Sequence, residues 1–212
     1  MPSTAISAQN TKFEIETGSG GAKTITAIQP GNPTIITSTA HAQTTGNVVD
    51  LAAITGTVGA ALNGKTFSIT NVTPNTFAVQ VDTTGLAYTS GGTATPRTYT
   101  EIANVKSYSG FDGAASEIDV TNLQSTAKEK RLGLQDFGKF GMEINPDYND
   151  PGQNALRTSK AAGTQKSYKV TYPNAKVASF AAYVKSTPES GGVDAVIAGS
   201  VDLTITGAVV VA

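Results

Sequence analysis

Cysteine and tryptophan are absent from the 212 residues, and histidine occurs once, as His41. Without thiols there is neither a disulfide framework nor a thiolate zinc site. One imidazole excludes a His-rich metal site and argues against a Ser-His-Asp triad. Charge is sparse as well, at 15% of residues with a net of −1, where an average globular protein carries roughly 25%. Such a balance offers no bulk attraction to nucleic acid. No run of 18 apolar residues exists. The nearest approach, residues 195–212, contains Asp202 and several Thr and reads as a strand, not a membrane span. Met1 to Asn10 lacks the basic and apolar regions of an export signal, so the chain is expected to be made and used without Sec export. What is abundant is glycine, at 22, and threonine, at 31. The composition favours an all-β, non-enzymatic protein.

The scarcity of charge is uneven. Residues 24–95 contain Asp50, Lys65 and Asp82 and no other charge, yet hold 18 of the Thr. This step suggests a module at 24–95 inserted into a host formed by 1–23 and 96–212. Gly18 to Gly21 and Thr95-Pro96 are the expected hinges. Inside the insert, Pro33 to Thr37, Val48-Val49, Lys65 to Val72 and Thr76 to Val81 read as short strands. Turns are expected at Gly46-Asn47, Asn63-Gly64, Pro74-Asn75 and Gly91-Gly92. The pattern predicts a small barrel or sandwich without a helix.

The host alternates with period two. Phe13 and Ile15 oppose Lys12, Glu14 and Glu16, and Phe140, Met142 and Ile144 oppose Lys139, Glu143 and Asn145. Tyr168, Val170 and Tyr172 form a third apolar row, Phe180, Ala182 and Val184 a fourth, and Val201, Leu203 and Ile205 a fifth. One buried and one wet face per strand predicts antiparallel sheet. The exception is Asp150 to Ala162. Asp150 suits an N-cap, Pro151 the first helical position, Gln153 the return half of a capping box, and Gly163 a C-terminal cap. Residues 121–138 fit neither pattern and read as a long loop, a class usually functional or disordered.

Candidate chemistry is thin. Thr17 to Thr24 imitates a phosphate loop, but glycine is missing at Thr17 and Ala22, and a strand follows where a helix is needed. His41 has no carboxylate within eight residues to orient it and reads as a packing or turn residue. Glu117/Asp119 and Asp147/Asp150 are carboxylate pairs with oxygen ligands for Ca²⁺ but without EF-hand spacing. Lys128-Glu129-Lys130-Arg131 lacks the interleaved aromatics of a nucleic-acid site and reads as a solvated loop or subunit contact. No catalytic residue, metal site or cofactor is expected.

Residues 110–138 carry a resemblance. Ile118 to Thr121, Ser125 to Glu129, Gly133-Leu134 and Phe137-Gly138, followed by Asp150 to Gln153 and Val201 to Gly207, occur in the order found in tail tube (major tail) proteins of long-tailed, siphovirus-type bacteriophages. The resemblance covers residues 1–23 and 97–212. It implies a β-sandwich with one flanking helix, hexameric rings stacked into a hollow tube, and a virion tail assembled in the host cytoplasm, of the sheathless type. It implies a tape measure protein inside the tube, tail-tip and terminator proteins at its ends, and no membrane. Ser38 to Gly46, Leu62 to Phe67 and Tyr88 to Gly92 resemble a small β-barrel module first named in ubiquitin-activating enzymes and common in phage structural proteins.

The tube reading assigns roles. In the 121–138 loop, Ser125, Lys128, Arg131, Leu132, Leu134 and Phe137 are the expected contacts with a neighbouring subunit or ring, apolar anchors inside a charged rim. DNA must slide through the lumen without being held by phosphate contacts, so an acidic or neutral wall is expected. Glu14, Glu16, Glu143 and Asp202, on polar faces of strands, are its candidates; ordinary outer-surface charge is the alternative for each. The insert is expected to project from the tube exterior. The rival reading is an adhesin-like β-sandwich that binds carbohydrate, for which the Thr-rich insert and seven Tyr speak.

Overall fold

The computed structural model describes residues 5–212, so the first four residues of the 1–23 segment lie outside the described residues. In chain order the first half holds β1 (Lys12–Ser19), β2 (Lys23–Thr24), β3 (Ala27–Gln29), β4 (Thr34–Thr37), β5 (Val48–Thr55), α1 (Gly59–Leu62), β6 (Lys65–Thr70), β7 (Thr76–Val79) and β8 (Ser90–Glu101). The second half holds β9 (Val105–Gly110), β10 (Ala115–Asp119), β11 (Lys130–Gln135), β12 (Lys139–Ile144), α2 (Pro151–Ala162), β13 (Lys166–Thr171), β14 (Val177–Ser186), β15 (Glu189–Ser190) and β16 (Ala198–Val211). The fold is all-β. Its contacts divide into two compact units: the chain up to Glu101 with Tyr168–Ser179 and Val210–Ala212, and Ile102–Ser167 with Phe180–Val209.

In the first unit the strand order is β3-β4-β7-β6-β5-β8-β1-β13. Phe13 and Ile15 are buried and pair with buried Val170 and Tyr168, so the alternation read from the sequence locks the register of β1 on β13. A separate core is drawn entirely from residues 25–94, with Leu51, Ile54, Val58, Leu62, Ile69, Phe77 and Val79 among its members. Two expectations for 24–95 need correction. A helical turn, α1, occurs where none was expected, because Val58 and Leu62 plug this core from adjacent turns. Gly91-Gly92 is not a turn but lies inside β8, with Gly91 opposite Ile54.

The flanks expected as hinges are paired strand. Gly18 and Ser19 lie opposite Thr98 and Arg97, the Gly20 N–H donates to the Pro96 carbonyl at 2.7 Å, and Lys23 and Thr24 lie opposite Ala94 and Thr93. One twelve-residue strand, β8, runs through the boundary and carries β1 beside it at one end and β5 along the other. Arg97, on β8, ties four strands together. Its Nη1 donates to Glu16 of β1 at 2.6 Å, its Nη2 and Nε to Asp50 of β5 at 2.9 and 3.1 Å, and its Nη2 to Thr66 of β6 at 3.0 Å. The Thr66 hydroxyl donates in turn to Asp50 at 2.5 Å. Burial pushes the Arg97 guanidinium down, but the bond to Asp50 and the charges of Glu16 and Asp50 more than reverse this and raise it above its ordinary value.

In the second unit β14, β16, β12 and β9 lie side by side. Phe140, Met142 and Ile144 are buried together with Phe180, Ala182, Val184, Val201, Leu203 and Ile205. Phe111, Phe140 and Phe180 meet with ring centroids 5.2–5.4 Å apart. Helix α2 starts and stops where expected: the Asp150 carboxylate accepts the Gln153 N–H at 2.7 Å, and Gly163 closes the last turn at φ 61°. The capping box is only half made. Gln153 is buried, and its side chain takes the Asp147 N–H at 2.8 Å while donating to the Ala103 and Asn145 carbonyls at 3.0 and 3.1 Å. Three backbone groups that the core would otherwise strand take the Gln153 side chain, while the Asp150 N–H donates instead to the Asp147 carbonyl at 3.4 Å.

Arg97 generates the first prediction. Arg97→Ala leaves Glu16 and Asp50 facing each other with side chains only 14% and 37% exposed. We expect a loss of about 2 kcal/mol in folding stability, discounted from a fully buried pair for partial solvation. Arg97→Lys should recover less than half of this, because an ammonium cannot form the fork. Guanidinium denaturation midpoints check both; an unchanged midpoint for Arg97→Ala refutes the role.

Candidate assembly interface

Residues 121–138 are not a loop throughout. Lys130–Gln135 forms β11 and pairs antiparallel with Ala115–Asp119, making a two-stranded ribbon that joins no other strand. The segment looked aperiodic because a bulge between Ala115 and Glu117 breaks the alternation and both ribbon faces are wet. In register are Glu117 with Leu132, Ile118 with Arg131, and Asp119 with Lys130. Lys130 ion-pairs with Glu117 across the ribbon. At the tip the Asp119 carboxylate accepts the Thr121 N–H at 2.9 Å, and Ser125 Oγ accepts the Asn122 N–H at 3.1 Å.

The ribbon is anchored firmly at its root. Asp112 Oδ1 accepts the Lys139 N–H at 3.0 Å, and the Phe111 N–H donates to the Lys139 carbonyl at 3.0 Å. Asp136 accepts the Gly138 N–H at 2.9 Å. Gly138 has φ +73°, and a side chain on Gly113 would start 2.0 Å from the Asp136 carbonyl oxygen, so both positions require glycine. The bond from the Lys139 N–H holds the Asp112 carboxyl below its ordinary value, and the Thr121 contact does the same for Asp119.

Beyond this root, large apolar side chains stand in solvent. Leu134 is 92% exposed and Leu132 75%, Leu123 is fully exposed, and Ile118 and Val120 are exposed as well. Leu132 and Leu134 share one ribbon face and Ile118 lies on the other; an isolated two-stranded hairpin is marginally stable in water, and exposed apolar side chains clustered on a projecting arm mark an interaction site. Of the residues expected here, Leu132, Leu134, Lys128 and Arg131 are exposed on the ribbon. Ser125 serves the turn, and Phe137 is half-buried at the root. Sequence reasoning missed Ile118, Val120 and Leu123. The alternation of Ile118 and Val120 is visible in the sequence but does not show whether the face they share is covered or wet.

The acidic candidates separate into two kinds. Glu16 is bound to Arg97, and Glu14 lies 3.8 Å from Lys169, so both are compensated within their unit. Glu143 and Asp202 lie on the polar face of β12 and β16, where Glu143 sits between Ser200 and Ser107, and Gly141 between Asp202 and Ser109. Asp202 accepts from Ser186 Oγ at 2.6 Å. Neighbouring positions on this face are mostly small or hydroxyl-bearing, namely Ser107, Ser109, Gly141, Ser200 and Thr204, and the face also carries Lys139, opposite Thr204.

The remaining polar candidates are structural. His41 is buried edge-on to Phe77; its Nδ1 accepts the Gln43 N–H at 3.0 Å and its Nε2 faces the Thr76 carbonyl at 3.3 Å. Asp147 accepts the Asn149 N–H at 2.8 Å, which leaves the Asp147/Asp150 pair occupied with a turn and a cap. Among the described residues no group of three or more His, Asp or Glu is gathered as metal ligands require, and no helix is long and apolar enough to cross a membrane.

Compared with known proteins, residues 81–212 match the model of the family described as lambda phage tail tube protein. No curated protein matches the chain.

The root makes a pH prediction. Because the Asp112 carboxyl is held below its ordinary value, its bond to the Lys139 N–H is present above about pH 3.9 and is lost as pH falls through the lowered value. The Lys139 amide proton resonance should stay constant from pH 7 to pH 4 and move only below that. A midpoint at or above the ordinary carboxylate value would show that Asp112 does not hold the ribbon root.

Proposed function

The chain belongs to the lambda phage tail tube protein family, and from that membership we propose that it forms six-subunit rings stacked into the tail tube of a siphovirus-type phage, the conduit for DNA ejection. The family is structural, and the protein is a self-assembling component of the virion tail. The observation that carries the finer reading is the ribbon: a rigidly rooted arm with Leu123, Leu132 and Leu134 exposed. Burying each would be worth about 1.5–3 kcal/mol before the cost of association. A monomeric protein has no use for this arrangement, whereas a polymer covers it in every subunit. Sheet edges support the same reading. β9 ends its sheet with one side unpaired, and edges of this kind can close around a ring through heterologous contacts.

The polar face of β9, β12 and β16 is the proposed lumen wall. Its Ser and Thr hydroxyls and short side chains give a sliding duplex little to catch on, and Glu143 and Asp202 repel phosphate, while Lys139 at the Thr204 end partly offsets them. Glu14 and Glu16 are left out of this wall because Lys169 and Arg97 neutralise them. Residues 24–95, with their own core and few charges, form the proposed exterior module, of the small β-barrel kind that the sequence resembles. Decoration of the tube is its proposed role. Such a tube encloses a tape measure protein, meets tail-tip and terminator proteins at its ends, is assembled in the host cytoplasm and needs no sheath.

Two experiments test this. Deleting Ser125 to Leu134 should leave a folded subunit that no longer forms tubes in electron micrographs; tubes of normal length would sink the assembly role. The chain has no cysteine, so single cysteines report position. In isolated subunits a bulky polymer-linked maleimide should label both Lys65→Cys and Glu143→Cys. In tubes it should label only Lys65→Cys. Labelling of Glu143→Cys in intact tubes, or protection of Lys65→Cys, would overturn the lumen or the exterior assignment respectively.

A further inference from the structure

The second unit carries another exposed apolar projection. Strands β15 and β16 pair Glu189 with Gly199 and Ser190 with Ala198, and the turn between them presents Val193, 96% exposed, Val196, 76% exposed, and Ile197. Like the ribbon, this tip has a built base. Glu189 accepts from the Tyr148 hydroxyl at 2.6 Å and from Arg157 at 3.4 Å, Arg157 lies over the Tyr148 ring at 4.4 Å, and the Ser200 N–H donates to the Pro188 carbonyl at 3.0 Å. Helix α2 thus holds the tip out, while nothing within the unit covers its valines.

The register places the two projections at opposite ends of one sheet. Strand β12 pairs with β16 from Lys139 opposite Thr204 to Ile144 opposite Gly199. The ribbon leaves at the Lys139 end and the tip at the Gly199 end, about 17 Å apart along six strand residues. Two different apolar patches at opposite ends of one sheet can make a head-to-tail contact, which is heterologous and propagates as an open filament. Among the described residues Lys128, in the loop at the ribbon's tip, makes no ion pair, since Glu117 is taken by Lys130, and Asp194 is the one charge between Ser190 and Ile197.

We infer that the ribbon of one copy seats on the Gly191–Ile197 tip of the copy stacked next along the tube, Leu132 and Leu134 against Val193 and Val196, with Asp194 facing Lys128. The inference rests on the reading of the ribbon as an assembly element and adds the surface that receives it.

The cysteine-free chain permits a direct test. Double variants combine Leu123→Cys, Leu132→Cys or Leu134→Cys with Val193→Cys or Val196→Cys. Assembled tubes are oxidised and then denatured without reductant. At least one pair should yield a ladder of covalent multimers beyond the dimer that collapses on reduction, while single-cysteine variants stay monomeric. No ladder from any pair in tubes of normal length overturns the inference, as do dimers from a single-cysteine variant, which would show a like-to-like contact. A missing ladder alongside loss of tubes on ribbon deletion condemns only the receiving surface; tubes that survive the deletion condemn the ribbon reading itself. Where a cysteine variant does not polymerise, Asp194→Lys substitutes. It should slow polymerisation at low salt and be rescued by Lys128→Glu. Unchanged assembly with Asp194→Lys, or no rescue, overturns the contact.

Discussion

The first unit depends on the fork of one guanidinium. Arg97 sits where β1, β5 and β6 come within reach of β8, and it binds a side chain from each of the three. Two carboxylates, Glu16 and Asp50, could not share that face without it. Coulomb repulsion between them in a half-buried setting would splay the strands that β8 is meant to join. With the arginine present, residues 24–95 enter and leave through hydrogen-bonded ladder, and a stretch with its own core is joined to β1 along β8. A further tie lies at Gly46, whose carbonyl accepts from Ser179 at 3.1 Å and whose bare Cα makes room for Val177.

The polar side chains are spent on architecture. Asp50 neutralises an arginine, Asp112 and Asp136 tie the ribbon root, Asp119 and Asp147 fold turns, Asp150 caps a helix, and Gln153 gathers three backbone groups. His41 satisfies its own loop. The most exposed large apolar side chains among the described residues, Leu123, Leu132, Leu134, Val193 and Val196, lie on two projections with rigid bases. That division suits a protein whose work is to be one brick among identical bricks: rigid within the subunit, sticky at defined ends, and bland on the face proposed for the passage of DNA. It also bears on solubility. Edges and arms of this kind are liabilities in a monomer, and a tube turns them into interfaces.

Much of this was legible in the sequence. Alternation at Phe13/Ile15, Phe140/Met142/Ile144 and Val201/Leu203/Ile205 announces strands with one dry face, because side chains on a pleated strand point alternately to either side. Asp150-Pro151 and Gly163 announce the ends of α2, because capping is local chemistry. The charge step at Thr24 and Pro96 marks a stretch that has its own core, and the ordered motifs between Ile118 and Gly207 point to the tail tube family.

Tertiary structure decided the rest, since each remaining feature depends on residues far apart in the chain. The 121–138 segment becomes half strand only because 115–119 lies beside it. Gly91-Gly92 extends as strand because β5 pairs with it. Gln153 abandons the cap because Ala103 and Asn145 arrive within its reach, and Glu16 loses its value as free charge because Arg97, 81 residues away, arrives within its own. The opposite placement of the ribbon and the 191–197 tip is of the same kind. Composition and periodicity mark 121–138 as irregular and give no sign of the 191–197 tip, and only the pairing of Lys139 with Thr204 and of Ile144 with Gly199 puts the two at the ends of one sheet. Local sequence determines which face of a strand is dry and where a helix is capped; long-range pairing, which has no local signature, determines which groups meet and which are left for a neighbour.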